Sequence, residues 1–152
     1  MPMFEKLRVL IVDDQDFMRR TLRQFLKQSG ITLIAEAPDG TQALTQIAKF
    51  GPDLVLSDVE MTPMDGVTFL RLLRSGAAAG AKQDLPVVLL AGAVDARIVA
   101  AAAELKAQGL LVKPVSQAQV AKAVQQAMKG SPRAAPPPRP GSADQTGGPG
   151  RN

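Results

Sequence analysis

Leu54-Val55-Leu56-Ser57-Asp58 is a short apolar run that stops on a carboxylate, with Pro52 and Asp53 before it and a loop containing Pro63 and Gly66 after it. Such a run reads as a buried parallel strand carrying a polar group at its C-terminal end. That edge is where open α/β sheets bind ligands. Val9-Leu10-Ile11-Val12 stops in the same way at Asp13-Asp14, and Leu110-Leu111-Val112 stops at Lys113-Pro114. As parallel neighbours, these strands would bring three carboxylates and one ammonium to one spot. Crowded anions repel, so the site is expected either to raise a carboxylate pKa or to hold a hard cation on oxygen ligands, with Mg2+ the natural candidate.

Composition narrows the chemistry further. The 152 residues fit one domain, and they include no histidine and no cysteine. Disulfides, thiolate or imidazole metal sites, cysteine nucleophiles and Ser-His-Asp arrangements are therefore excluded. Of the net charge of +4, half belongs to the segment after Gly130, where Arg133, Arg139 and Arg151 face only Asp144. The rest is nearly balanced and its basic residues are scattered. With five Phe and no Trp or Tyr there is no stacking platform, so nucleic acid is not an expected partner. No apolar stretch reaches membrane-spanning length, and Glu5, Lys6 and Arg8 stand where a signal peptide needs its apolar region, so a cytoplasmic protein without membrane insertion is expected.

Along the chain, Leu7 to Val12 predicts the first strand, and Asp16 is placed to cap a helix to about Ser29 with Met18, Leu22, Phe25 and Leu26 inward. The opposite face carries Arg19, Arg23 and Lys27 at i, i+4 and i+8, the pattern of a solvated face. Thr32 to Ala37 is the second strand, followed by a helix with Ala43, Leu44, Ile47 and Ala48 inward, stopped by Gly51-Pro52. After the Asp58 strand comes a helix from about Val67 to Arg74 that offers Phe69, Leu70 and Leu73 for burial. Leu85 to Leu90 is the fourth strand. Asp95 is placed to cap an alanine-rich helix to about Ala107, and Gly109 to Val112 is the fifth strand. Ser116 and Gln119 form a capping-box pattern for a last helix with Val120, Val124 and Met128 as its inner stripe.

Five strands alternating with five helices predict an α/β fold, a doubly wound parallel sheet with helices on both faces. The domain is expected over residues 1–130. From Ser131 the composition turns to Pro, Gly, Ala and Ser, which predicts a disordered tail over 131–152. The PxxP spacing within Pro136 to Pro140 fits a polyproline ligand, but a solvated tail suits the composition better.

Asp13-Asp14, Asp58, Met61, Met64-Asp65-Gly66, Asp39-Gly40, Leu85-Pro86 and Lys113-Pro114, in this order around the strands, resemble a response-regulator receiver domain over roughly residues 6 to 129. Met18-Arg19-Arg20, with Arg23 and Leu26-Lys27, resembles the single-domain chemotaxis regulators of that family. The resemblance implies the flavodoxin-like strand order 2-1-3-4-5. It also implies that Asp58 accepts a phosphoryl group from a phosphohistidine on a sensor histidine kinase or a histidine phosphotransfer protein. Lys113 would then reach a phosphoryl oxygen, so that Asp58 and Lys113 are the catalytic pair. Mg2+ would be held by Asp14, Asp58 and the backbone carbonyl of Glu60, with Asp13 acting largely through water. The basic face of the first helix would lie beside the phosphotransfer partner. A downstream protein would dock on the face of the fourth helix, fifth strand and last helix, and no chemistry beyond the protein's own phosphorylation and dephosphorylation is implied. Having no histidine, the chain cannot itself be the phosphohistidine donor.

Three departures from that family's pattern bear on switching. Ala91 stands where the family places Thr or Ser, Leu110 where it commonly places Tyr or Phe, and Pro63 falls one place late in Met61-Thr62-Pro63-Met64. Thr62 is a poor substitute for the missing hydroxyl, and Ser57, adjacent to Asp58 on a strand, is expected to point to the other face. Two other classes remain open: a pseudo-receiver whose binding no longer depends on phosphorylation, and a Mg2+-dependent hydrolase on a related fold. Steady turnover of a small phosphate ester would identify the second.

Overall fold

A computed structural model describes residues 4–78 and 80–129. The predicted tail at 131–152 lies outside the described residues. Elements alternate as β1 (Arg8–Val12), α1 (Asp16–Gln28), β2 (Leu33–Ala37), α2 (Gly40–Phe50), β3 (Leu54–Asp58), α3 (Gly66–Ser75), β4 (Val87–Ala91), α4 (Ala96–Glu104), β5 (Gly109–Val112) and α5 (Gln117–Lys129). All pairings are parallel and the strand order is β2-β1-β3-β4-β5. The doubly wound sheet in the order 2-1-3-4-5 is therefore the fold.

Period-two alternation divides the central strands between two apolar layers. Val9, Ile11, Leu54, Leu56, Val88 and Leu90 pack with Leu22 and Leu26 of α1 and with Val120, Val124 and Met128 of α5. Leu10, Val12, Val55, Val87, Leu89 and Ala91 pack with Ala43 and Ile47 of α2, Phe69, Leu70 and Leu73 of α3, and Ala102 of α4. β1, β3 and β4 are covered on both faces, which explains why they read as unbroken apolar runs rather than alternating ones.

Capping chemistry sets most helix starts. Asp39, Asp65 and Asp95 each accept a hydrogen bond from the backbone N–H three residues on, at 2.9, 2.7 and 3.0 Å. Ser116 and Gln119 exchange the reciprocal bonds of the expected capping box. Asp16 does not cap α1 but is its first residue. Asp13 Oδ1 already accepts the Gln15 N–H at 2.9 Å, an Asx-type turn that makes Gln15 the cap and starts the helix one position earlier than an Asp16 cap would.

Three smaller expectations also give way. Ala48 is exposed, because the buried stripe of α2 runs through Gly40, Ala43 and Ile47, and the next residue rotates out of it. The fourth strand starts at Val87, beyond Pro86, which has no N–H for the ladder, and it extends to Ala91 opposite Val112. α4 stops at Glu104 instead of Ala107, since Lys106 adopts a left-handed backbone with φ 56°.

Candidate functional site

The C-terminal ends of β1 and β3 and the turn after β5 meet at one edge of the sheet, as parallel pairing requires. Asp13 and Asp58 have the same strand parity as Ile11 and Leu56, and both are buried. Asp14 is exposed beside them. One carboxylate oxygen from each of Asp13, Asp14 and Asp58 can be chosen so that all lie within 4.8 Å of one another. Lys113 reaches into this group, with Nζ 3.0 Å from Asp58 Oδ1 and 3.3 Å from Asp13 Oδ2. The turn that delivers it is fixed by Lys113 N–H donating to the Ala91 carbonyl at 2.8 Å.

The ammonium lies close enough for an ion pair with Asp58 but is not aligned as a hydrogen bond to it. Among the described residues, Asp58 Oδ1 is a buried oxygen with no hydrogen-bond partner. Burial dominates its protonation and, with the Asp13 and Glu60 charges acting in the same direction, pushes the carboxyl up to about 6 against the pull of Lys113. At the other end of the pair, burial disfavours the Lys113 ammonium, but Asp58 and Asp13 outweigh it and hold the pKa above the usual lysine value. The asymmetry follows from position: Lys113 serves two carboxylates, whereas Asp58 is the more deeply buried partner and has another anion beside it.

A hard divalent cation fits this donor set. The carboxylates outnumber the ammonium, all three present oxygen to one point, and the buried Asp58 oxygen lacks a donor. Glu60 adds a side-chain contact at the edge of the site. Its side-chain Oε1 accepts the Gly92 N–H at 3.3 Å, joining the loop after β3 to the loop after β4. An open groove of about 740 Å³ runs from Asp14 past Glu60, Met61 and Thr62 to Arg97 and Ile98 of α4. Thr62 therefore lines the groove, while Ser57 Oγ is buried and donates to the Asp58 backbone carbonyl at 3.0 Å.

Ala91 is fully buried with Val87 and Leu89 in the layer of α2 to α4, and Leu110 packs against that layer. Arg19 and Arg23 depart from the solvated-face reading. Both guanidinium groups pair with Glu36 of β2, at 3.1 and 2.6 Å. Sequence reasoning passed over Gly66 as a site residue. A Cβ there would stand 2.1 Å from the carbonyl oxygen of Asp58, so the start of α3 lies directly against the backbone of the central carboxylate. The only sequence signal was Gly66 itself, immediately after a capping aspartate.

The family model for the response regulator receiver domain matches residues 9–125. Protein CcdB of Bacillus subtilis is 36% identical over 121 residues, covering 80% of this chain and 97% of that protein. Chemotaxis protein CheY of the same organism is 32% identical over 117 residues, covering 77% and 93%. The solved structure of chemotaxis protein CheY4 from Vibrio cholerae superposes with a TM-score of 0.71 at 27% identity, covering 80% of this chain and 98% of that one.

Proposed function

We propose that this chain, which belongs to the response regulator receiver domain family, accepts a phosphoryl group on Asp58 from a phosphohistidine of a sensor histidine kinase or a histidine phosphotransfer protein. The observation that carries the reading is the buried, under-bonded Asp58 oxygen, with Lys113 at 3.0 Å and two further carboxylates around it. In the transfer, a carboxylate oxygen of Asp58 forms the new P–O bond as the P–N bond to the donor imidazole breaks. The protein contributes position and charge rather than covalent work of its own. Lys113, already 3.0 Å from the acceptor carboxylate, is placed to move its charge onto a phosphoryl oxygen.

Asp14, Asp58 and the backbone carbonyl of Glu60 would hold Mg2+, with Asp13 reaching it through water. When bound, the ion supplies charge neutralisation for the carboxylates and the arriving phosphoryl oxygens. Incubation with a small acyl phosphate in Mg2+ is expected to give one hydroxylamine-labile adduct, absent in Asp58→Asn. An adduct that persists in that variant would move the acceptor elsewhere. Asp14→Ala is expected to weaken Mg2+ binding by about tenfold or more, as loss of a direct ligand should; equal titration curves would count against Asp14.

The output face proposed for a downstream protein is α4, β5 and α5, supported by Val99 and Val112, each 51% exposed on the first two of these. Among the described residues no helix is long and apolar enough to cross a membrane. Ala91 favours one second reading, a receiver whose partner binding is only weakly coupled to phosphorylation. A residue without a hydroxyl cannot donate to the phosphoryl group, so the switched state forgoes a charge-assisted bond worth about 1.5 to 3 kcal/mol. That amounts to roughly one to two powers of ten in the population shift. Ala91→Thr is therefore expected to enlarge the amide shift changes across Ile98, Leu110 and α5 on adding Mg2+ and beryllofluoride, provided its buried position accepts the larger side chain. A full response already present in wild type would mean that another donor, such as the Gly92 N–H released from Glu60, serves.

A further inference from the structure

We propose that Arg19 is a positioning residue for the acidic cluster, holding the peptide between Asp13 and Asp14 at the height where their carboxylates meet Asp58. The inference rests on the cation-site reading above. The Arg19 side chain is only 15% exposed. Its Nη1 donates to the Asp13 carbonyl at 2.6 Å, its Nε donates to Glu36 Oε1 at 3.1 Å, and its Nη2 pairs with the Asp16 carboxylate. One planar fork thus joins the loop after β1, the strand β2 and the first turn of α1.

The Asp13 carbonyl belongs to the peptide linking the two acidic residues, so holding it sets the plane from which both side chains leave the backbone. Asp13 is oriented a second time, by Gln15 N–H and Lys113 on its carboxylate. Asp14 is exposed, and the orientation of its peptide is the constraint Arg19 supplies. Cation affinity depends on such outer contacts, because they fix where the ligand oxygens point. A lysine cannot replace the fork, since it offers a point charge without the planar set of donors.

Arg23 is a built-in control. It shares Glu36 through Nε at 2.6 Å, but its other contact, at 3.4 Å, is the Ile34 carbonyl further back along β2. It braces the same carboxylate without touching the loop.

The test is Mg2+ titration of the full chain, followed through the amide shifts of Asp14 and Asp58, in wild type, Arg19→Gln, Arg19→Lys and Arg23→Gln, with urea unfolding in EDTA on the same samples. Arg19→Gln and Arg19→Lys are expected to bind Mg2+ about tenfold more weakly, and Arg23→Gln within about twofold of wild type. The metal-free unfolding midpoint of Arg23→Gln should fall through loss of its bond to Glu36, and that of Arg19→Gln further, since it also gives up the Asp13 carbonyl and the Asp16 carboxylate. Unchanged affinity in both Arg19 variants would overturn the role of Arg19 and leave the cation site standing. Equal weakening in Arg23→Gln would reduce the effect to general stability and also overturn it. Absence of saturable binding in wild type would remove the cation reading and this inference with it. Should Arg19→Gln fail to fold, Arg19→Lys carries the comparison.

Discussion

Asp58→Asn in EDTA at about pH 8 is expected to be more stable than wild type by about 3 kcal/mol, and to lose that advantage on acidification to about pH 4. The Asp58 carboxyl is 3% exposed, and burial, reinforced by Asp13 and Glu60, moves it from an ordinary 3.8 to about 6 even with Lys113 alongside. A raised carboxyl pKa means that the folded chain binds this proton more tightly than the unfolded chain. Stability therefore falls as pH rises between about 4 and 6 and stays lowered above that window. Asparagine resembles the protonated acid and has no charge to keep out of water, so the variant escapes the loss.

Lys113 does not blur the comparison. Its pKa is raised, so its stabilising share is complete below the ordinary lysine value of 10.5 and is lost only above it, outside the range scanned. Urea midpoints of the two proteins from about pH 4 to 8 give the measurement. Parallel curves would mean that Asp58 is not held against its charge. Mg2+ should narrow the gap, because a bound cation favours the ionised carboxylate and stabilises only the wild-type site.

That stored disfavour for a lone anion makes Asp58 a place where positive charge is welcome. Its position was legible from the sequence because parallel strands end at a common edge, and an apolar run closed by Asp or Lys marks that edge without reference to anything distant. The same logic located Asp13, Asp14 and Lys113. Contacts made across the fold were not legible. Arg19 and Arg23 look like a solvated stripe because their partner, Glu36, lies on a strand whose alignment with α1 no local pattern records. Arg74 was invisible for the same reason. It donates to the carbonyls of Gln83, Leu85 and Leu105 at 2.7 to 2.8 Å, tying the loop before β4 and the loop before β5 to α3 at the far end of the sheet. Asp16 misled because the competing carboxylate of Asp13, only three residues earlier, had already taken the turn.

Gly66→Ala is expected to lower folding stability by about 3 kcal/mol or more, the upper end of overpacking costs, and to weaken Mg2+ binding in whatever fraction folds. The chain contains a local comparison, since Asp39-Gly40 and Asp65-Gly66 are both a capping aspartate followed by the first residue of a helix. Locally the two are equivalent; what stands opposite each is not. A Cβ at Gly40 would come within 2.8 Å of Met64 Sδ, near the mobile end of an unbranched side chain, so Gly40→Ala is expected to cost about 1 kcal/mol as the thioether moves aside. A Cβ at Gly66 would meet the Asp58 carbonyl oxygen at 2.1 Å and the Val59 Cα at 3.0 Å. Neither obstacle can rotate away. The carbonyl belongs to the last residue of the central strand, and Gly66 N–H is itself bonded to the Val59 carbonyl at 2.9 Å, which pins the helix start against it. Relief requires α3 to withdraw or the Asp58 peptide to turn, and the second would swing the carboxylate out of register with Asp13 and Asp14. Urea unfolding of both alanine variants, with Mg2+ titration of each, separates the cases. Equal and small losses at the two glycines would show that α3 can retreat freely, and that its start does not fix the backbone of Asp58.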